Sequence, residues 1–458
     1  MSLRQDAIRI WQAGVDAVRA EELVRRSVQV IGDRLRIAGD DYSLSSAGRL
    51  LVVGAGKAGA GMATGLEQAL GNWPGLHRRS GWVNVPANCL RPTGWIHLHA
   101  ARPAGFNAPT KAAVEGTARI LGAVSDLGTD DLCIVLISGG GSALLTAPVE
   151  GVSLEDKQAV TRLLSEGGAT IEELNCVRRA LSRVKGGGLL QACHAGTVAA
   201  LVISDVIGDP LETIASGPLT PNPTTVDDAA RILEQFARDR SAVPDAVWNA
   251  LDTSLDDEEA GRAVSRSDRS VQHYVIGNNR SACEAAAIAA RTLGYEVLDV
   301  RPDERGVARE VGRELAIECH RLQGTLDAGR RCCLITGGEP VVQLSPTDRP
   351  RKGGRNQELT LAALVELQRY GLEGIAVLSG GTDGEDGPTD AAGAVADQDV
   401  AQRATDAQLD PISYLDGNDS YPFFEATGGL IRTGPTHTNV MDLRIAVMEG
   451  QAATRDQR

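Results

Sequence analysis

Two patterns of apolar residues alternate along the chain. Short uninterrupted runs read as buried strands: Arg49–Val53, Leu132–Ile137, Val198–Ile203, Tyr274–Asn279, Cys332–Thr336 and Ile375–Leu378. Between them lie segments in which apolar residues return every three to four positions, the period of a half-buried helix. Residues 5–30 are of this kind, with Ile8, Trp11, Val15 and Val18 on one face, and Gln357–Arg369 is another. Val341–Leu344 and the polar stretch after it predict a hairpin arm. Strands alternating with helices imply parallel sheets covered on both faces, hence an α/β fold. The pattern lapses between residues 240 and 270, where Asp256–Glu259 and Ser265–Ser270 read as solvated turns. A domain boundary is placed there, giving an N-terminal domain of residues 1–243 and a C-terminal domain of residues 244–458.

The 458-residue length accommodates two or three such domains. Aromatic residues are only 3%, so the cores must be built from Leu, Val, Ile and Ala. A net charge of −14 excludes a general nucleic-acid binder, which needs a basic face, but leaves room for a local cationic pocket. The eight cysteines have no metal-ligand spacing, and Cys332–Cys333 sit in an apolar run as buried thiols would. The N-terminus lacks an apolar signal segment, and no run of about 18 apolar residues occurs, so neither secretion nor a membrane span is expected. A cytoplasmic protein follows. The sequence is compatible with a homo-oligomer without specifying one.

Glycines gather at the strand ends, where open parallel sheets bind ligands. Gly54-Ala-Gly-Lys-Ala-Gly59 fits the dinucleotide pattern G-x-G-x-x-G, but Pro74–Pro92 contains no acid to hold a ribose. Gly54 and Gly56 therefore read as a tight loop that sets Lys57 beside helix N-terminal amides, where anions are favoured. A Walker A loop is absent, because Leu51 and Ala58 occupy two of its required positions. Ser138, Gly139, Gly140, Gly141 and Ser142 offer a second run of exposed amides for a phosphate or carboxylate. Arg178, Arg179, Arg183 and Lys185 precede a third glycine cluster and suggest anion binding as much as a solvated helix face. Farther on, Lys352-Gly-Gly-Arg-Asn-Gln-Glu358 opens a helix, with Arg355 able to offer a bidentate guanidinium. Thr382–Gly387 and Asp390 place carboxylates at a strand end, as Mg²⁺ beside phosphates requires; an Asx-turn cluster has the same composition.

These segments, together with Asn175–Gly187, Ser204-Asp-Val-Ile-Gly-Asp209, Ser216-Gly-Pro218, Thr433-Gly-Pro-Thr436 and Thr438-Asn-Val440, occur in the order found in the MOFRL-type glycerate 2-kinases. The chain resembles that family over roughly residues 50–445. The resemblance implies two three-layer α/β/α domains: an N-terminal Rossmann-like parallel sheet and a smaller C-terminal mixed sheet, with a cleft between them. It implies ATP and Mg²⁺, and D-glycerate converted to 2-phosphoglycerate. Its implicated cations fall on Lys57 and Arg355, and its aspartates on Asp205, Asp383 and Asp386. Departures occur at Ala101–Phe106, where the family commonly has Gly-His-Pro-x-Pro-Asp, at Pro340 and at His437. The first of these bears on substrate detail.

Combining residue type with resemblance, Lys57 is assigned to the transferring phosphoryl group and Arg355 to the glycerate carboxylate or to charge in the transition state. Asp205 is assigned to the attacking hydroxyl, and Asp383 and Asp386 to Mg²⁺, with Asp386 also counted as catalytic. Gly54, Gly56, Ser138–Ser142, Arg178, Lys185, Asn356 and Glu358 are assigned to substrate and nucleotide binding. Two rival readings are a nicotinamide-dependent hydroxypyruvate reductase and a non-catalytic carboxylate or sugar-phosphate binding module.

Overall fold

The structure is a computed structural model that describes residues 2–43, 48–71, 73, 78–106, 108–259, 271–346 and 349–451, the side chains of 255–259 excepted. It forms two compact units, residues 20–276 and residues 1–19 with 277–458. The division thus falls after the expected 240–270 window. The acidic segment Asp256–Glu259 continues the helix Asp245–Glu259 rather than turning, while Ser265–Ser270 lies outside the described residues.

The first unit begins with the helix Ala20–Ser27 and a three-stranded antiparallel sheet: β1 (Val28–Ile31), β2 (Arg34–Ile37) and β3 (Asp40–Tyr42). The helix expected over 5–30 is therefore two helices, Leu3–Ala17 and Ala20–Ser27, followed by a strand. Six further strands make the main sheet of this unit: β4 (Leu50–Ala55), β5 (Arg79–Pro86), β6 (Ile96–Arg102), β7 (Leu132–Ser138), β8 (Thr197–Ile203) and β9 (Val271–Gly277). Their spatial order is β6-β5-β4-β7-β8-β9, and the pairings from β6 through β8 are parallel. This is the doubly wound arrangement, with its order reversing between β4 and β7. Both strands are buried along their whole length, as strands covered on two faces must be. Val53, Val135, Ile137 and Val202 share a core with Ile120 and Val124 of the helix Lys111–Ser125.

The second unit carries a mixed six-stranded sheet: β10 (Glu296–Glu304), β11 (Arg331–Gly338), β12 (Ile375–Gly381), β13 (Gly393–Ala396), β14 (Leu430–Ile431) and β15 (Asp442–Glu449), in the order β10-β11-β15-β12-β13-β14. Only β10 and β11 are parallel; β15 lies antiparallel between β11 and β12. The helix Leu3–Ala17 belongs here because its apolar face packs on this sheet. Ile10, Trp11 and Val15 are fully buried against Leu378, Leu443 and Ile445, and Trp11 Nε1 donates to Gly380 O at 3.3 Å. A side chain at Gly380 would press on the Trp11 ring, its Cβ standing 3.0 Å away. The expected hairpin arm at 341–344 does not form; Val341 makes an isolated bridge to Val307. All eight cysteines are buried and free, as expected for Cys332 and Cys333.

Candidate active site

The reversal between β4 and β7 brings the first two glycine loops together. Gly56 has φ +151°, and a Cβ there would stand 2.0 Å from Ser138 Oγ, so only glycine fits. The close approach lets Lys57 N–H donate to Gly139 O at 2.8 Å and Ala58 N–H to Ser138 Oγ at 3.0 Å. Gly54 is equally constrained: its Cβ would meet Leu136 O at 2.2 Å. At Gly140, in the left-handed region at φ 74°, a Cβ would sit 3.2 Å from Lys57 Cγ and 3.6 Å from Arg102 Nη2. The stem of Lys57 and the guanidinium of Arg102, at the end of β6, thus close over this loop. Arg102 Nη1 also donates to Phe106 O, so the Ala101–Phe106 segment is tied to the same strand end.

A cationic cluster adjoins the loop. Ser142 Oγ lies 2.8 Å from Ser216 Oγ and accepts from Arg178 Nη2 at 2.9 Å. Lys185 Nζ donates to Ser142 O and Ser142 Oγ, each at 2.9 Å, and to Ser216 Oγ at 3.4 Å. Ser216 is held in place by strained backbone: Ala215 and Ser216 have φ of 52° and 65°, unusual for residues with a Cβ. The strained turn is pinned to the third glycine cluster by Gly186 N–H to Ser216 O at 3.1 Å and Gly187 N–H to Gly217 O at 2.8 Å. Beyond Ser142 opens a cavity of about 450 Å³, lined in part by Lys157, Arg162, Arg178 and Lys185.

Lys157 and Lys185 are buried. Burial pushes the Lys185 ammonium well below the usual lysine range, and Arg178, Lys157 and Arg179 push it further. Burial, then Arg178, brings Lys157 down to about 7. The Arg178 guanidinium is lowered by burial as well. Among the described residues, none of Lys157, Arg162, Arg178 and Lys185 makes an ion pair with a carboxylate, and their hydrogen bonds go to neutral oxygens. Uncompensated buried charge is costly, and a bound anion removes that cost.

The second unit disposes its predicted residues differently. Arg355, at the start of the helix Arg355–Tyr370, donates Nε and Nη2 to the two oxygens of Asp442 at 2.7 and 3.0 Å, and Nη1 to Glu339 at 2.7 Å. Burial opposes its charge, but Asp442 and Glu339 raise its pKa above the ordinary arginine value. Its fork is closed on carboxylates rather than held open for a ligand. Asp386 is fully buried and caps the same helix. One of its oxygens accepts from Asn356 N at 3.0 Å and Asn356 Nδ2 at 3.2 Å, the other from Gln357 N at 2.9 Å. Burial lifts its pKa to about 6 despite those donors. Gly354 must be glycine to admit it, since a Cβ would stand 2.3 Å from Asp386 Cγ.

Both oxygens of Asp386 are thus engaged at the helix start, the arrangement of a helix cap. Asp383 Oδ1 accepts from Glu385 N at 3.0 Å, and no group of three or more His, Cys, Asp or Glu suited to a metal occurs among the described residues. Asn356 and Glu358 are likewise internal. Ser379 Oγ donates to Asn356 Oδ1 at 2.6 Å, while Glu358 accepts from Arg309 and from Asn418 at 2.7 Å. The strand-end glycines and Lys57 lie together, and Ser142, Arg178 and Lys185 meet at the end of the same loop. Asp205 follows β8 and is half-buried. Sequence reasoning missed Lys157, Ser216, Arg102 and Asp442. The local sequence carries no mark of Lys157 beyond a lysine on a helix, whereas Ser216 does lie in a quoted motif.

A doubly wound sheet with glycine loops at its switch point, beside a cation cluster that makes no ion pair among the described residues, is the framework of a protein that handles phosphate- or carboxylate-bearing small molecules. The comparisons agree. Residues 6–252 match a domain of unknown function, DUF4147, and residues 332–442 match the MOFRL family. The chain is 38% identical to a glycerate kinase of Danio rerio, covering 98% of each, and 36% identical to the human glycerate kinase, covering 97% of this chain and 93% of the relative. A putative hydroxypyruvate reductase of Agrobacterium vitis is 41% identical over 87% of this chain and 98% of its own length. The crystal structure of a Thermotoga maritima glycerate kinase superimposes with a TM-score of 0.78 at 34% identity, covering 97% of this chain and 99% of that one. The chain belongs to the MOFRL-type glycerate kinase family. No helix among the described residues is long and apolar enough to cross a membrane.

Proposed function

We propose that the protein is a cytoplasmic ATP-dependent kinase that transfers the γ-phosphoryl group to the 2-hydroxyl of D-glycerate, releasing 2-phosphoglycerate and ADP. The observation that carries this reading is the carboxylate-free cluster of Ser142, Arg178 and Lys185 beside the Lys57 loop at the sheet's switch point. Phosphoryl transfer needs positioning and charge neutralisation more than covalent assistance. Lys57 supplies a compact ammonium for the equatorial oxygens of the transferring group. Arg178, Lys185 and the serine hydroxyls orient anionic groups, and Asp205 receives or orients the hydroxyl proton as the new O–P bond forms and the bond to ADP breaks. Arg355 acts through Asp442 and Glu339, which fix the mouth of its helix. Mg²⁺ enters as part of the nucleotide substrate, consistent with its preference for phosphate and water oxygens over an all-protein cage.

Coupling the reaction to enolase without phosphoglycerate mutase tests the regiochemistry, because only 2-phosphoglycerate is consumed. A signal appearing only after mutase is added refutes it. The hydroxypyruvate reductase named among the relatives motivates a second assay, NADH oxidation with hydroxypyruvate. No turnover is expected there, since β5 and the residues after it supply no acid for a ribose.

A further inference from the structure

The chamber behind Ser142 gathers Lys157, Arg162, Arg178 and Lys185 on its described lining. Lys185 and Arg178 meet at Ser142 Oγ. Lys157, on the helix Leu154–Glu166, enters from another side, its Nζ anchored 2.6 Å from Leu181 O. Arg162 stands five residues farther along that helix, exposed at the cavity's edge. The lining includes hydroxyls and amides such as Thr146, Thr161 and Gln158, and among the described residues no Asp or Glu. A glycerate carboxylate offers one negative charge and two oxygens to basic groups converging from several elements. A phosphoryl group brings nearly two charges and three acceptor oxygens, which suit several donors converging from different elements. The cavity's size lies in the range of small-molecule sites.

We infer that this chamber is a phosphoryl-group subsite and that Lys157, with Arg162 at its mouth, is a further binding residue of the enzyme. The inference rests on the kinase reading above and assigns the phosphate end of a ligand, not the glycerate carboxylate, to the space between Lys157 and Lys185. The low pKa of Lys157 fits a group that gains its full charge only when an anion arrives. The phosphoryl group has two available sources, the nucleotide tail and the phosphorylated product, and both present the same chemistry to these cations.

Calorimetric titration of the full chain with pyrophosphate, ATP, 2-phosphoglycerate and D-glycerate, each alone, tests the assignment. Wild-type protein and Lys157→Met are compared, with circular dichroism to verify the fold. Pyrophosphate should bind the wild type, and Lys157→Met should weaken it by about tenfold or more, the scale of one charge-assisted contact. D-Glycerate affinity should change by less than about twofold, as for a group that does not touch it. Greater loss for ATP identifies the nucleotide tail as the occupant; greater loss for 2-phosphoglycerate identifies the product. Absence of pyrophosphate binding to the wild type, unchanged binding in Lys157→Met, or a selective loss of glycerate affinity would each overturn the inference. Absent kinase activity with phosphate binding that still depends on Lys157 would instead overturn only the proposed reaction.

Discussion

Replacing Asp386 by alanine separates its two readings, a metal ligand or a helix cap. The carboxylate satisfies two backbone amides and one side-chain amide at the start of Arg355–Tyr370, all buried. A buried donor left without a partner costs about 1–3 kcal/mol, and loss of a cap typically costs about 1 kcal/mol. Water entering the space left by the side chain recovers part of this, so a net loss of about 2–4 kcal/mol is expected at pH 5. The pH dependence has a definite sign. The folded-state pKa is raised to about 6 by burial, from the ordinary aspartate value of 3.8, so between these pH values the folded state binds more protons. The stability contributed by Asp386 is fully present below the unfolded pKa and is lost as pH rises through 6. The wild-type advantage over Asp386→Ala should therefore shrink by about 1 kcal/mol between pH 5 and pH 7. Urea unfolding at both pH values measures it, and hydrogen exchange at the Asn356 and Gln357 amides localises it. An unchanged unfolding midpoint together with a raised Mg²⁺ requirement would refute the cap and restore the metal ligand.

The remaining predictions concern the cations. Lys57→Ala should lower kcat by about 10²–10³ with the fold intact by circular dichroism, because its charge is aimed at charge developing during transfer; near-wild-type kcat removes it from the mechanism. Lys157→Met should stabilise the ligand-free protein by about 1–3 kcal/mol at pH 7, since it removes a buried unpaired cation, while Leu181 O retains a donor in Val149 N. Its folded pKa lies below the unfolded one, so the wild type recovers stability as pH rises from about 7 towards 10.5, and the advantage of Lys157→Met should fade over that window; a pH-independent difference in denaturation midpoint contradicts this. Arg355→Ala should act through stability, losing about 3–5 kcal/mol because Asp442 stays buried without its partner, and a kinetic defect at unchanged thermal stability would return Arg355 to direct ligand contact.

Much of the first unit's site could be read from local sequence because close backbone approach has a local signature. Gly54, Gly56 and Gly140 are glycines for reasons of contact or φ that no other residue satisfies, and each follows an apolar run that only a buried strand explains. The basic stretch ending in Gly186–Gly188 likewise announced Arg178 and Lys185. What the sequence could not say is which distant groups meet. Lys157 is an ordinary helix lysine until packing buries it beside Arg178, and Ser216 reaches Ser142 only through the strained turn at 215–216. An aspartate in a glycine-rich loop looks the same whether it ligates a metal or caps a helix. The direction of Asp386 is decided by Gly354, which leaves room for the carboxylate against the helix start. Arg355 was legible as a bidentate donor, but its acceptor, Asp442, lies 87 residues away on the central strand. The first helix declared an apolar face and no destination. Period and amphipathicity are properties of a segment, whereas the partner of a face depends on which surface the completed sheet leaves uncovered. Here that surface is the Gly380 notch that receives Trp11.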